Sequence, residues 1–160
     1  MHEEVLKKLS ELAISYETVF HPPAFTTEEA NQYIEGKAGV RTKSLFLTNR
    51  KKTAYYLLIM DDSKRLDITK FQESLAVKRL SFASPTKLTE KLGVEPGAVS
   101  IFGLLNNQEK DVQIYFDKDI ISEEIMSFHP NFNEMTLFLK TSDILRFIEE
   151  LGYTYHTVTL

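Results

Sequence analysis

The stretch Lys43-Ser44-Leu45-Phe46-Leu47-Thr48 has the alternation of a β-strand, and a glycine-bearing segment, residues 36–40, leads into it. A charged residue at the head of a strand that should pack on the core needs an explanation. Either Lys43 is the solvated end of an ordinary strand, or it faces a cleft and holds a charged ligand. Periodicity leaves both explanations open.

The segments around this strand predict a mixture of helices and strands. Polar residues 49–52 separate two apolar runs and predict a hairpin turn. Ser84 and Pro85 predict the start of a helix that Gly93 ends. Helices are predicted over about 3–15, 26–34, 67–75, 84–93 and 142–151, and strands over about 16–20, 43–48, 53–60, 80–83, 99–105, 112–116, 124–128 and 135–139. Hairpin-like links dominate the middle, so we expect an α+β fold with a mixed, largely antiparallel sheet.

The chain has the size and composition of one soluble domain. Its 160 residues are 42% hydrophobic and 26% charged, which fits a single domain over residues 1–160. Cysteine is absent, which excludes disulfides, thiolate metal ligands and a cysteine nucleophile. The acidic pair Glu3-Glu4 is unlike a signal peptide, and no apolar run is long enough to span a membrane. We therefore expect a cytoplasmic protein.

The charge balance limits the class of partner. A formal net charge of -4 argues against a general DNA or RNA coat, which needs many phosphate contacts and a basic surface. It remains compatible with a protein that grips only the end of an RNA. Short basic clusters are interpreted first as solvated turns and strand ends: Arg41 with Lys43, Arg50-Lys51-Lys52, Lys64-Arg65 and Lys78-Arg79.

Common catalytic signatures are missing from the sequence. It contains no P-loop, no Gly-x-Ser-x-Gly elbow and no His-Glu-x-x-His motif. The histidines are too far apart for a metal-ligand spacing, so we expect neither a metal nor another cofactor. They are His2, His21, His129 and His156.

Four loop-like segments could still carry chemistry: residues 21–27, the approach to Lys43, residues 97–103 and residues 129–133. Gly97 and Gly103 bracket a predicted strand, where the backbone could approach a ligand and aim N–H groups at an oxyanion. A tight turn and a bulge explain the same glycines. His129 before Pro130 is either a structural loop residue or a catalytic base. Large aromatic residues in the strands are interpreted as core: Phe46, Tyr55, Tyr56 and Phe128.

Four segments, in order, resemble the YbaK/prolyl-tRNA-editing family of aminoacyl-tRNA deacylases. Residues 20–30, FHPPAFTTEEA, resemble its opening motif, and residues 43–47 its Lys-x-Leu-Phe-Leu strand. Residues 96–106 resemble its Gly-x-Val-Ser-Pro-Phe-Gly-Leu-x-Asn loop, except that Ile101 stands where the pattern has proline. Residues 129–136 and the helix from Ser142 resemble its closing segment. Within the family the likeness is greatest to free-standing prolyl-tRNA editing proteins.

The resemblance implies a barrel-like sheet surrounded by helices, with a cleft for the aminoacylated 3′ adenosine of tRNA. It assigns catalysis to Lys43, Gly97, Ser100, Gly103 and His129: the lysine supplies a positive charge and the glycine loop supplies oxyanion donors. Substrate binding is assigned to His21, Thr26, Thr27, Phe46, Ile101 and Asn133. The implied partners are aminoacylated tRNA, through its 3′ end, and prolyl-tRNA synthetase as a second partner. Neither DNA nor a membrane is implied.

The function implied is that of a trans-editing hydrolase, which removes a wrong amino acid from tRNA(Pro) by ester hydrolysis, with alanine as the expected one. Three alternatives remain. The same fold could act on cysteinyl- or seryl-tRNA, or it could be a non-catalytic module that binds tRNA or a synthetase. It could also be an interaction domain in which Lys43 is merely solvated.

Overall fold

The computed structural model describes residues 2–23, 29, 32–128 and 134–160. The helices with defined bounds are α1 (His2–Glu11), α2 (Ile68–Leu75), α3 (Pro85–Leu92), α4 (Lys118–Ile121), α5 (Thr141–Glu150) and a 3-10 helix (Ile101–Asn106). The strands are β1 (Glu17–Phe20), β2 (Val40–Asn49), β3 (Tyr55–Asp61), β4 (Leu80–Phe82), β5 (Val112–Asp117), β6 (Ile125–Phe128), β7 (Met135–Lys140) and β8 (Tyr155–Val158).

These strands form one sheet in the order β1-β7-β6-β2-β3-β5-β8, with β4 paired to β2 outside this path. The pairs β1/β7, β6/β7, β2/β3 and β2/β4 are antiparallel. The pairs β2/β6, β3/β5 and β5/β8 are parallel. The predicted α+β class with a mixed, largely antiparallel sheet is confirmed.

Strand β2 joins the two halves of the sheet. One of its edges pairs with β3 over residues 42–48. Its other edge pairs with β6 at residues 40–41 and with β4 at residues 47–49. Between these two partners the edge is open at residues 43–45, where no strand of the described chain pairs with it. Lys43 is therefore the first of three β2 residues whose outer edge has no strand partner among the described residues, and this stretch is here called the open edge of β2.

Apolar side chains cover both faces of the sheet. The larger cluster, here called the main core, contains Phe46 of β2 and is closed by α1, α3, the 3-10 helix and α5. A second cluster on the other face contains Leu47 and Leu58 and is closed by Phe71 of α2. Successive residues of β2 thus enter different clusters, as the pleat of a strand requires.

Several local predictions are confirmed in detail. Ser84 caps α3 by accepting a hydrogen bond from the Lys87 N–H (3.2 Å), Pro85 occupies its first turn, and Gly93 ends it with φ +66°. The hairpin at residues 49–52 joins β2 to β3. The helix expected over 26–34 falls largely on residues outside the described ones.

The strand predicted over residues 99–105 is wrong, because Ile101–Asn106 forms a 3-10 helix. Ser100 directs the chain into this turn: its Oγ accepts the Phe102 N–H (3.2 Å) and its carbonyl accepts the Gly103 N–H (3.1 Å). An apolar run that is buried on all sides has no period that separates strand from helix. The short elements α4 and β8 were not predicted.

Candidate active site

Lys43 lies opposite Met60 in the β2–β3 register, on the face of the sheet that carries the second cluster. Its side chain is half-buried, and its ammonium donates a hydrogen bond to the main-chain carbonyl of Lys64. Among the described residues, no carboxylate lies within 4.0 Å of this ammonium. Lys43 thus places a positive charge next to the open edge of β2, and no acidic side chain among the described residues pairs with it.

The Lys64 carbonyl is held in place by an ion-pair network. The Lys64 ammonium contacts Asp117 Oδ1 at 2.9 Å and Asp119 Oδ2 at 2.6 Å. The hydrogen bond that the Lys64 ammonium donates to the Asp119 carboxylate raises the pKa of Lys64 above its usual value. Asp117, whose side chain is 1% exposed, also accepts the main-chain N–H groups of Asp61 (3.3 Å) and Asp119 (3.0 Å). The loop after β3 is therefore tied to the end of β5.

Arg41, two residues before Lys43, has a structural use. Its guanidinium donates to the carbonyls of Gly39 (2.6 Å), Lys37 (2.7 Å) and Ile34 (2.9 Å), which fixes the segment leading into β2. The same guanidinium lies 5.3 Å from the ring centre of Phe138 on β7. Of the pair Arg41 and Lys43, the arginine is used by the fold, and the lysine has no carboxylate partner among the described residues.

His21 lies on the same face of the sheet as Lys43. Its Nε2 lies 2.9 Å from Thr136 Oγ1. On β7, Met135 and Leu137 point into the main core, so Thr136 between them points to the opposite face of the sheet, the face that carries Lys43. The Nδ1 of His21 is 2.8 Å from the Pro22 carbonyl, which can only accept. In a neutral ring Nδ1 therefore carries the proton and Nε2 accepts from the Thr136 hydroxyl.

This histidine is well anchored. It is 8% exposed, and its ring stacks on Tyr33 with a centroid separation of 5.3 Å and an interplanar angle of 2°. Tyr33 and Thr136 were not assigned to the site from the sequence. Thr136 is the last residue of the family-like segment 129–136, whereas Tyr33 has no local sequence signal and is recognised only through its contact with His21.

The loop that contains Gly97 and Gly103 lies against the main core. Gly97 has φ +89°, a conformation that favours glycine. Gly103 is required for packing instead, because a Cβ there would lie 2.9 Å from Leu92 Cβ of α3. Ser100 is 1% exposed and caps the 3-10 helix. The N–H groups of Phe102 and Gly103 are used inside this turn.

Ile101 is the first residue of the 3-10 helix. The N–H of a first helical residue has no partner within the helix, so proline and a residue with an N–H are both compatible with this position. Isoleucine at position 101, where the family pattern has proline, therefore leaves the 3-10 turn intact.

The structure separates some of the residues that the sequence grouped. Phe46 and Ile101 are buried in the main core, 3% and 0% exposed, whereas Lys43 and His21 face the other side. A core role for Phe46 agrees with its stacking on Tyr55 at 5.7 Å. Substrate contact by Phe46 and Ile101 stays a prediction. Thr26, Thr27, His129 and Asn133 lie outside the described residues.

The profile of the aminoacyl-tRNA editing domain family matches residues 21–147, which include His21, Lys43 and the Gly97 loop. The chain belongs to the aminoacyl-tRNA editing family. As a member it is an enzyme of the deacylase class, and its role is in translation fidelity.

Relatives of known name agree with this family. The chain is 32% identical over 158 residues to the prolyl-tRNA editing protein ProX of Acetoanaerobium sticklandii, covering 99% of this chain and 96% of that one. It is 31% identical to the prolyl-tRNA synthetase associated domain-containing protein 1 of Mus musculus, covering 96% and 92%. The crystal structure of a proposed trans-editing enzyme for prolyl tRNA synthetase superposes with a TM-score of 0.75 at 20% identity, covering 99% and 96%. That likeness shows the shared fold.

The described residues contain neither a helix that could span a membrane nor a group placed to bind a metal ion. Within the described ranges, no helix is long and apolar enough to cross a membrane. The same residues contain no group of three or more His, Asp or Glu side chains placed to hold a metal ion.

Proposed function

We propose that this protein hydrolyses the ester bond of mischarged tRNA(Pro), with alanyl-tRNA(Pro) as its main substrate. The family match supports the deacylase class, and the similarity to ProX over nearly the whole chain supports tRNA(Pro). The observation that carries the proposal is the Lys43 ammonium, which has no carboxylate partner among the described residues and lies at the open edge of β2.

The reaction needs no strong protein nucleophile. In an aminoacyl ester the carbonyl carbon is already reactive, so a placed water and a stabilised oxyanion are sufficient. The water oxygen attacks the carbonyl carbon, the ester C–O bond breaks, and the ribose oxygen leaves with a proton. This explains how a chain with no cysteine can be a deacylase.

Lys43 binds the phosphate or ribose side of the terminal adenosine, because an ammonium is a good point-charge partner for phosphate. His21, Thr26 and Thr27 line the adenosine side. His129 and Asn133 shape the aminoacyl pocket and hold the α-amino group or the water.

The oxyanion is stabilised by backbone N–H groups of the Gly97 loop. The N–H groups of Ala98, Phe102 and Gly103 already donate to acceptors in or next to this loop, so the donors come from Gly97, Val99 and Ile101. In this arrangement Ser100 and Gly103 keep the loop in shape, Ser100 through its cap and Gly103 through its close approach to Leu92.

Selectivity for alanine follows from size. A pocket can exclude the larger proline ring by steric conflict, whereas one methylene changes binding by only about 1–3 kcal/mol. Proline, the correct amino acid, is therefore retained on the tRNA. Serine is close enough in size to be hydrolysed at a lower rate.

A panel of charged tRNA(Pro) species tests the proposal. Purified protein is mixed with alanyl-, seryl-, cysteinyl- and prolyl-tRNA(Pro), and the loss of each ester is followed under single-turnover conditions. We expect alanyl-tRNA(Pro) to be the fastest and prolyl-tRNA(Pro) to be at background. If cysteinyl- or seryl-tRNA(Pro) is hydrolysed faster, that aminoacyl-tRNA is the main substrate instead. If no amino acid is released from any of the four, the protein is a non-catalytic binding module.

A further inference from the structure

A groove lies about 20 Å from Lys43 along β2, six residues further along the strand at about 3.3 Å each. It is formed by the β2–β3 turn on one side and by the segment between α2 and β4 on the other, with a cavity volume of about 600 Å³. Its lining residues are Asn49, Arg50, Lys51, Val77, Lys78 and Arg79. None of the chemistry proposed above uses them.

The charge of this groove is of one sign. Arg50, Lys51, Lys78 and Arg79 are all exposed, and the lining contains no acidic residue. Among the described residues, none of the four has a carboxylate within 4.0 Å. Elsewhere cations are commonly paired, as with Lys37 and Glu17 at 2.8 Å. Four cations around one groove, with no carboxylate partner in the described ranges, repel each other unless an anion joins them.

The shape of the groove selects the kind of anion. Its cations are exposed side chains spread over two segments, which suits a string of phosphates more than one small buried anion. Between the groove and Lys43, on the face of β2 that carries Lys43, lies Phe82 of β4, which pairs with Leu47 and is 56% exposed. An exposed aromatic ring is a platform on which an unpaired base can stack.

We propose that this groove, formed by Arg50, Lys51, Lys78 and Arg79, binds the phosphate backbone of the tRNA acceptor end. This inference rests on the proposed function, since it places the RNA that carries the ester. With the terminal adenosine at Lys43, the single-stranded 3′ extension follows β2 past Phe82, and the phosphates beyond it reach the groove. The chain as a whole is acidic, so its grip on RNA is concentrated here.

Charge reversal tests the groove on each side separately. The variants are Arg50→Glu with Lys51→Glu, and Lys78→Glu with Arg79→Glu. The matched control is Lys7→Glu with Lys140→Glu, two exposed lysines that change the net charge by the same amount. Binding of uncharged tRNA is measured by fluorescence anisotropy over a range of salt concentrations, and thermal melting checks that each variant is folded.

We expect each groove variant to bind tRNA at least about 10-fold more weakly than the control. A plot of log association constant against log salt concentration has a negative slope. The magnitude of this slope should decrease by about 0.7–0.9 for each phosphate that the variant no longer neutralises. Equal affinity of groove variants and control would overturn the proposal. Displacement of tRNA by micromolar inorganic phosphate would also overturn it, because the groove would then be a small-anion site.

A second readout separates this proposal from the proposed function. The groove variants should lose kcat/KM on alanyl-tRNA(Pro) through KM, and should match wild type on a short alanyl-oligonucleotide that ends before the groove. Equal losses of kcat/KM on both substrates would contradict the binding of tRNA phosphates in the groove. If wild type hydrolyses neither ester while the groove variants still lose affinity for tRNA, the proposed function fails and the groove stands.

Discussion

The Lys43 ammonium donates a hydrogen bond to the main-chain carbonyl of Lys64, so the placement of one lysine depends on the backbone of another. The side chain of Lys64 is in turn held between Asp117 and Asp119. A buried carboxylate at the end of β5 is thus connected to the charge proposed to bind substrate, although it lies outside any recognised motif.

Asp117→Asn is expected to weaken both the fold and the activity. Asp117 is 1% exposed and accepts three hydrogen bonds, so the loss of its charge should lower the free energy of unfolding by about 1–3 kcal/mol. Because the Lys64 carbonyl is then less well fixed, kcat for alanyl-tRNA(Pro) should fall by about 10-fold. Denaturant unfolding and single-turnover hydrolysis measure the two effects.

The matched control is Asp119→Asn. Asp119 contacts the same lysine, but its side chain is 72% exposed, and exposed ion pairs contribute little. A positioning role for Asp117 also requires that Asp117→Asn causes no further loss of kcat when Lys43 is already alanine. An additive loss in that double variant would show that Asp117 acts on stability alone.

Acid should remove the contribution of Asp111 to stability. Burial opposes ionisation of Asp111, but the hydrogen bonds from Lys91 (2.6 Å) and Asn107 (2.9 Å) outweigh it and hold its pKa below the usual 3.8. A carboxyl group whose pKa is lower in the folded than in the unfolded protein stabilises the fold at pH values above its unfolded-state pKa. This stabilisation is lost as the pH falls through the folded-state pKa.

Asp111→Asn should therefore be about 1–2 kcal/mol less stable than wild type at pH 7, and the difference should shrink below about pH 4. Urea unfolding at both pH values measures it. Glu109→Gln is the control, because Glu109 is a 70% exposed partner of the same Lys91. A difference that stays constant with pH would contradict the assigned ion pair.

Ile101→Pro tests the position of Ile101 at the start of the 3-10 helix. Ser100 before it has φ -154° and ψ 172°, an extended conformation that proline accepts in the preceding residue. The variant loses apolar burial, so the proper comparison is Ile101→Ala. We expect the two melting temperatures to agree to within the shift produced by about 1 kcal/mol. A proline variant that is less stable by about 3 kcal/mol or more would show that this N–H is needed by the fold.

The sequence predicted those parts of the fold that have local signals. Ser84 with Pro85, Gly93 and the turn at residues 49–52 each carry their own start or stop chemistry, and the structure confirms them. The run at 101–106 differs from the predicted strand because its residues 101–104 are all buried, so no periodic exposure distinguishes a strand from a helix. Strand β8 was missed because its stability comes from parallel pairing with β5, about 40 residues away in the chain.

The candidate site likewise combines a residue that has a local sequence signal with contacts between distant segments that have none. Lys43 was singled out because a charge on a core strand is locally unusual. That His21 shares its face follows only from the order β7-β6-β2, and that Lys64 and Asp117 support it follows from contacts between distant segments. No local pattern encodes such contacts.

Single-turnover hydrolysis of alanyl-tRNA(Pro) by wild type and by Lys43→Ala tests the central claim most directly. Lys43 is half-buried with a single hydrogen-bond partner among the described residues, so the variant should remain folded. We predict rapid loss of the ester with wild type and a rate about 100-fold lower with the variant, an effect of about 2.7 kcal/mol. A variant that hydrolyses alanyl-tRNA(Pro) at the wild-type rate would contradict the account.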